Sequence, residues 1–356
     1  MSEFQISLLG AGAAVVLLVL VYNLWQRRRL RRRFDAMFQS DRGDALTESA
    51  SEAVNVFSTE RVDHVLLDDP VAADTASPAA DTALLFPDEI TDYVATLSFD
   101  LPRNSQALTP LWQQRFDFGK TIYVCGMNAA SGVWEKVIPE SLFSYLSFKL
   151  SLQLADRSGA VSAARLEDFR NLARDIAARS DAHAELPDVA AAAARAKTLD
   201  NFCAEVDQLV GLNIVPSGER KLAGGDVASV AAEHGMMLQA DGSFQLFDDN
   251  GITLFSLINS NDAPFQHHTL AQTWVDGLTL LLDVPRVEQP VRRFEEMAVL
   301  ARQIAMDLRA NVMDDNHVAL GEPGVAQIRE QVADIEDRMR LGEIAPGSAQ
   351  ARRLFS

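Results

Sequence analysis

Twenty residues without a charged side chain, Ile6 to Trp25 (ISLLGAGAAVVLLVLVYNLW), run into a cluster of arginines at Arg27, Arg28, Arg29, Arg31, Arg32 and Arg33. At about 1.5 Å of rise per residue, such a run is roughly as long as a bilayer's hydrocarbon core is thick. It reads as a single membrane-spanning helix over residues 6–25. The basic collar, residues 26–34, stays on the cytoplasmic side by the positive-inside bias, which leaves residues 1–5 as a short outer end and the bulk of the chain inside. A cleaved signal peptide would carry its basic residues before the apolar run, and here they follow it. GAGAAV at Gly10 to Val15 imitates the start of a dinucleotide fingerprint, but that motif must follow a strand and open a helix. Inside a membrane helix it marks small-residue packing, which leaves a homo-oligomer open.

Residues 35–88 hold twelve Asp or Glu against two Arg, with AADTASPAADTA in the middle. Such a composition buries too little apolar surface to offset the entropy of ordering and reads as an acidic flexible linker. Only VDHVLL, from Val62, offers an apolar cluster. The first 34 residues carry a net +5, so the total of −18 leaves −23 for the rest. That excludes the basic footprint of a nucleic-acid binder. Two cysteines, Cys125 and Cys203, form no spaced pair of the kind that frames a disulfide or zinc site.

The remaining chain states one pattern twice. Leu150, Leu152 and Leu154 fall on Leu278, Leu280 and Leu282 at a constant offset, and RNLARDIA falls on AVLARQIA. Alternation in the first part marks a strand with one buried face; apolar spacing of three and four in the second marks an amphipathic helix. Each copy is preceded by a strand (DYVATLSFDLP, DQLVGLNIVP), a helical stretch and a hairpin, the second with Asn250-Gly251 at its turn. The expectation is an α+β fold: two related split β-α-β units over residues 89–199 and 200–345, each an antiparallel sheet with helices on one face, then a tail over 346–356.

In the first copy the outward positions of the long strand, Ser147, Lys149, Ser151 and Gln153, predict a solvated face, with Leu146, Phe148, Leu150, Leu152 and Leu154 inward. In the second copy the outward positions, Leu209, Gly211, Asn213, Thr279 and Leu281, predict an apolar open face that needs an occupant. The helix with the stripe Val325, Ile328, Val332, Ile335, Met339 could be that occupant, but its expected place is beside the helix of residues 291–310 on the buried side.

No catalytic or metal constellation emerges. His267-His268 lacks the glutamate spacing of a metalloprotease helix, Asp314-Asp315 reads as a turn with Asx side chains, and Cys125 has no partner base in CGMNAASG. Neither enzyme chemistry, a cofactor nor a metal is expected.

VGLNIVPSGE, LFSLIN, LTLLLDVP and VMDDN, in that order behind one spanning helix, a basic collar and an acidic linker, resemble the ZipA family of membrane anchors of the bacterial division ring. The resemblance covers about Asp200 to Leu341 and is weak over residues 89–199. It implies a single-pass inner-membrane protein with a periplasmic amino terminus, concentrated at the division site. Its open sheet face would bind the carboxy-terminal peptide of FtsZ and stabilise or bundle filaments, by an amphipathic helix laid in an apolar groove. Carried over position by position, the groove would comprise Leu209, Gly211, Asn213, Phe244, Leu246, Ile258, Ser260, Thr279 and Leu281, with His317 at the rim. The chain departs from the family near Ser260 (methionine there), Leu281 (phenylalanine), Asp262 (lysine) and His317 (arginine). A membrane-tethered small-molecule sensing or regulatory module built from paired α+β units is the competing expectation; it would need convergent polar groups around a pocket.

Overall fold

A computed structural model describes residues 87–314 and 318–356. The expected membrane helix, the arginine collar, the acidic linker up to residue 86, and His317 lie outside the described residues. Among the described residues no helix is long and apolar enough to cross a membrane.

The first sheet is built from β1 (Asp92–Asn104), β2 (Ile122–Asn128), β3 (Trp134–Lys136), β4 (Ser144–Gln153) and β7 (His183–Glu185), with a small ribbon β5 (Ala155–Asp156) and β6 (Gly159–Ala160) beyond it. Spatial order is β3-β2-β4-β1-β7, every neighbour antiparallel. Helix α1 (Thr109–Gln114) follows β1, and helices α2 (Ala163–Ser180) and α3 (Val189–Val206) flank β7. Ser162 starts α2 by accepting the Arg165 amide, and Asp181 ends it in the left-handed region at φ 57°. Between these caps, Leu166, Phe169, Leu172 and Ile176 recur at helical spacing and are buried. They meet the inward residues Tyr93, Leu97, Phe148, Leu150 and Leu152 in one cluster, with Phe169 edge-on to Tyr93 and Phe118. Each such side chain contributes about 1.5–3 kcal/mol by leaving water.

The second sheet comprises β8 (Leu209–Pro216), β10 (Met237–Leu238), β11 (Phe244–Phe247), β12 (Thr253–Asn259), β14 (Leu278–Asp283) and β15 (Ala310–Met313), ordered β10-β11-β12-β14-β8-β15 and again antiparallel; β9 (Leu222–Ala223) pairs with β13 (Trp274–Val275) outside it. Helices α4 (Gly224–Glu233), α5 (Pro290–Asp307) and α6 (Glu322–Leu341) complete this half. Phe294, Met297, Leu300 and Ile304 of α5 are buried, and Val332, Ile335 and Met339 of α6 are buried with them in the same core.

The recurrence in the sequence has a spatial counterpart. β4-α2-β7 and β14-α5-β15 are strand-helix-strand passages whose two strands are parallel and separated by one inserted strand, β1 or β8. The hairpins differ. In the first sheet the leading strand β2 lies beside β4, whereas in the second the trailing strand β12 lies beside β14.

Two expectations for the first sheet are corrected. Its outward face is not simply solvated, since Ser147, Ser151 and Gln153 are buried. The serines turn their hydroxyls onto neighbouring strands (Ser147 to the Leu97 carbonyl, 2.9 Å; Ser151 to that of Tyr123, 3.2 Å). Gln153 is covered by the carboxy terminus, donating to the Arg353 carbonyl at 2.9 Å. Leu146, expected inward, is exposed, because the register of β1 against β4 shifts between Ser98 and Arg103.

The cover is a last helix, α7 (Ala349–Leu354), with Ala351, Leu354 and Phe355 fully buried. Residues 346–356 are thus packed. Gly347 sets the approach: its φ is +71°, its amide donates to the Pro285 carbonyl at 2.9 Å, and a Cβ there would stand 2.4 Å from the Glu288 backbone nitrogen. In Gly347→Ala we expect the left-handed strain, about 1–2 kcal/mol, together with this clash, to undock α7. Hydrogen exchange at Ala351–Leu354 should accelerate about tenfold or more while β4 and β14 keep their protection; unchanged exchange would show that the close approach relaxes freely.

Candidate functional site

Pairing fixes which side chains share the open face of the second sheet. Leu281 stands opposite Gly211 on one side and Ser256 on the other; Thr279 stands opposite Asn213 and Ile258; Asp283 stands opposite Leu209. Inward of these, Val210, Leu212, Leu257, Leu280 and Leu282 belong to the core. The open face therefore carries Leu209, Gly211, Asn213, Ile258, Thr279 and Leu281, all expected from the sequence. Leu281 and Ile258 form its floor at 5% and 9% exposure. Gly211 keeps the trough open: a Cβ there would come within 3.2 Å of Thr279 and 3.4 Å of Leu281. Thr279 donates to Asn213 at 2.8 Å, and Asn213 reaches the Asp314 carbonyl at 3.3 Å, which holds this end rigid.

The other predicted positions lie elsewhere. Phe244 and Leu246 project to the opposite face: they pair with Leu257 and Phe255, and Phe244 is buried with its ring 5.3 Å from that of Phe265. In a strand, one residue of phase error reverses the face, so the open-face residues here are Gln245 and Ser256. Gln245 is pinned by Asp241, Ser243 and Thr253. The inward Phe255 and Leu257 were the signal that fixes this phase. Ser260 falls just past β12, exposed, its amide bonded to the Gly277 carbonyl at 3.1 Å.

Beyond Leu209 and Leu281 the face ends in a cavity of about 110 Å³ whose lining includes Leu254, Ser256, Asp283, Arg286 and Arg352. This charged end is absent from the sequence reading, because it assembles from three distant segments. Arg157, from the β5–β6 turn, bonds Asp207 at 2.9 Å and both oxygens of Asp283 at 2.8 Å. Burial pushes the Asp283 carboxyl above its ordinary range against the pull of Arg157 and Arg286, and burial likewise pulls Arg286 below its usual value. On the first sheet's outward face, Cys125 is buried and its thiol is pushed up to about 12 by desolvation, so it stays protonated and is no nucleophile at neutral pH. His267 and His268 are exposed in a turn, and among the described residues no group of three His, Cys, Asp or Glu side chains is placed to hold a metal ion.

Against known proteins, residues 208–331 match the family described as the ZipA C-terminal FtsZ-binding domain. The match covers about a third of the chain and lies within its second half. Among curated relatives, the cell division protein ZipA of Vibrio parahaemolyticus is 25% identical over 131 residues, covering 36% of this chain and 42% of its own length. That of Vibrio campbellii is 24% identical over 131 residues, covering 36% and 41%. The chain thus spans about two fifths of the length of these relatives. The matched segment contains the open face, β8 through β15, whereas the first sheet and helix α7 lie outside it.

Proposed function

We propose that this protein is a membrane-anchored component of the bacterial division ring that holds the carboxy-terminal peptide of FtsZ on the open face of the second sheet, and that it is a tether without enzymatic activity. The observation that carries the reading is an apolar trough, floored by Leu281 and Ile258, inside the segment that matches a family of FtsZ-binding domains. In such a mode a few buried anchors supply most of the affinity. The apolar run at residues 6–25 and Arg27–Arg33 would place the anchor in the inner membrane with the binding face in the cytoplasm. The first sheet shares one hydrophobic core with the second, so it would ride with the binding face as a rigid body. The open face gives the sensing alternative no support, since its cavity is well below the roughly 300–1,000 Å³ of small-molecule sites; a wider depression of about 550 Å³ lies away from that face, beside Arg220, Lys221, Trp274 and Asp307.

The test is a titration of the full chain, held in mild detergent, with the FtsZ carboxy-terminal peptide. Saturable binding is expected, and Leu281→Asp should weaken it about 100-fold or more, the scale of a hot-spot residue. Ser256→Glu, at a half-buried position on the same face, serves as a second variant with less risk to folding. If both variants fold and bind like the wild type, the site lies elsewhere.

A further inference from the structure

The charge at the Leu209 end of the trough is unbalanced. Three guanidinium groups, Arg157, Arg286 and Arg352, stand around two carboxylates, Asp207 and Asp283, and Arg157 takes both. Arg286 lies in the field of Asp283, but among the described residues neither it nor Arg352 has a carboxylate within ion-pair distance or makes a side-chain hydrogen bond, although both line the cavity. Arg352 Nε is buried with no hydrogen-bond partner. Leaving a desolvated donor unsatisfied costs free energy, and buried charges in folded proteins are ordinarily paired.

We propose that Arg286 and Arg352 form an anion-binding end of the trough and take a carboxylate of the bound FtsZ peptide while its apolar residues occupy Leu209 and Leu281. This rests on the reading proposed above and names the chemistry it needs in the partner. Guanidinium groups suit the task because they hold carboxylates by two parallel N–H donors. A peptide fits better than a nucleic acid, since the anion site adjoins an apolar wall and residues 35–356 carry a net charge of −23, the total of −18 less the +5 of the first 34. Arg352 sits on α7, outside residues 208–331, so this contact would be a property of this chain beyond the matched domain.

A double-mutant cycle tests it. The full chain and its Arg286→Gln/Arg352→Gln variant are titrated with the native FtsZ peptide and with one whose acidic side chains are amides and whose carboxy terminus is amidated. Neutralising the peptide should weaken binding to the wild type about tenfold or more, leave the variant's affinity unchanged, and flatten the salt dependence. If Leu281→Asp abolishes binding while the wild type holds both peptides equally, the groove stands and the arginine assignment fails. If Leu281→Asp binds normally, the groove itself is wrong. If a peptide of this chain's own residues 60–70 binds with the arginine dependence and the FtsZ peptide does not, the occupant is the acidic linker and the proposal is overturned.

Discussion

Replacing Arg353 by Met is expected to destabilise the described fold by about 3–5 kcal/mol, the scale of a buried ion pair broken from one side. Arg353 is 4% exposed and donates to Asp92, which is fully buried; its guanidinium also lies 4.1 Å from the centroid of the Tyr123 ring. Methionine keeps much of the volume but leaves the Asp92 carboxylate held by little beyond the Asp88 amide at 2.8 Å. Burial already raises the Asp92 pKa, with Arg353 as the chief opposing influence. Without Arg353 the folded-state value rises further. A carboxyl raised on folding contributes stability that is fully present below its unfolded value and lost as pH rises through the folded one. Urea unfolding should therefore show the variant's deficit largest at neutral pH and shrinking under acid. Adding Asp92→Asn, which cannot ionise, should recover most of the loss at neutral pH. If it recovers none, the packing of Arg353 on Tyr123 and α7 matters more than the charge.

The second large effect is expected at Arg157. Its guanidinium joins a turn of the first half to Asp207, which caps α3 just before β8, and to Asp283, which closes β14, and it lies 5.9 Å from the Phe355 ring. Pairing with these carboxylates raises the Arg157 pKa against the cost of burial. In Arg157→Met two carboxylates lose their counter-charge together, and about 3–5 kcal/mol should be lost. Asp283 is raised by burial and by Asp207, and is lowered chiefly by Arg157. The variant should therefore regain stability as pH falls through the raised Asp283 value, by the same sign argument. A deficit that is flat with pH would mean that Arg286 swings onto Asp283 and replaces the lost partner.

Both pairs show where reading the chain stops. Arg353 and Asp92 are 261 residues apart, Arg157 and Asp283 are 126 apart, and nothing local in either segment points to the other. Helix α7 is only six residues long and follows a Gly in the left-handed region. Its place depends on the shape of the surface it meets. Arg352, the residue that completes the charged end of the trough, could not be assigned before that surface existed.

What the sequence determined by itself was periodicity. Alternation in LTLLLDV and LSLQLAD, helical spacing in RNLARDIA and AVLARQIA, and Asn250-Gly251 at a turn yield an antiparallel α+β fold with helices over the strands, and they put Leu209, Gly211, Asn213, Thr279 and Leu281 on one face. Those signals are local, because a strand's two faces are set by the pleat and a helix's stripe by its pitch. Phase across a gap is not local, and Phe244 and Leu246 were accordingly placed on the wrong side of β11. Nor could the chain show what lies over a face. Ser151 and Gln153 look solvated in a strand read alone and are buried, Ser151 with its hydroxyl on the Tyr123 carbonyl and Gln153 under α7. Tertiary structure decided coverage, charge pairing and the charged end of the trough, because each depends on segments brought together only when the core closes.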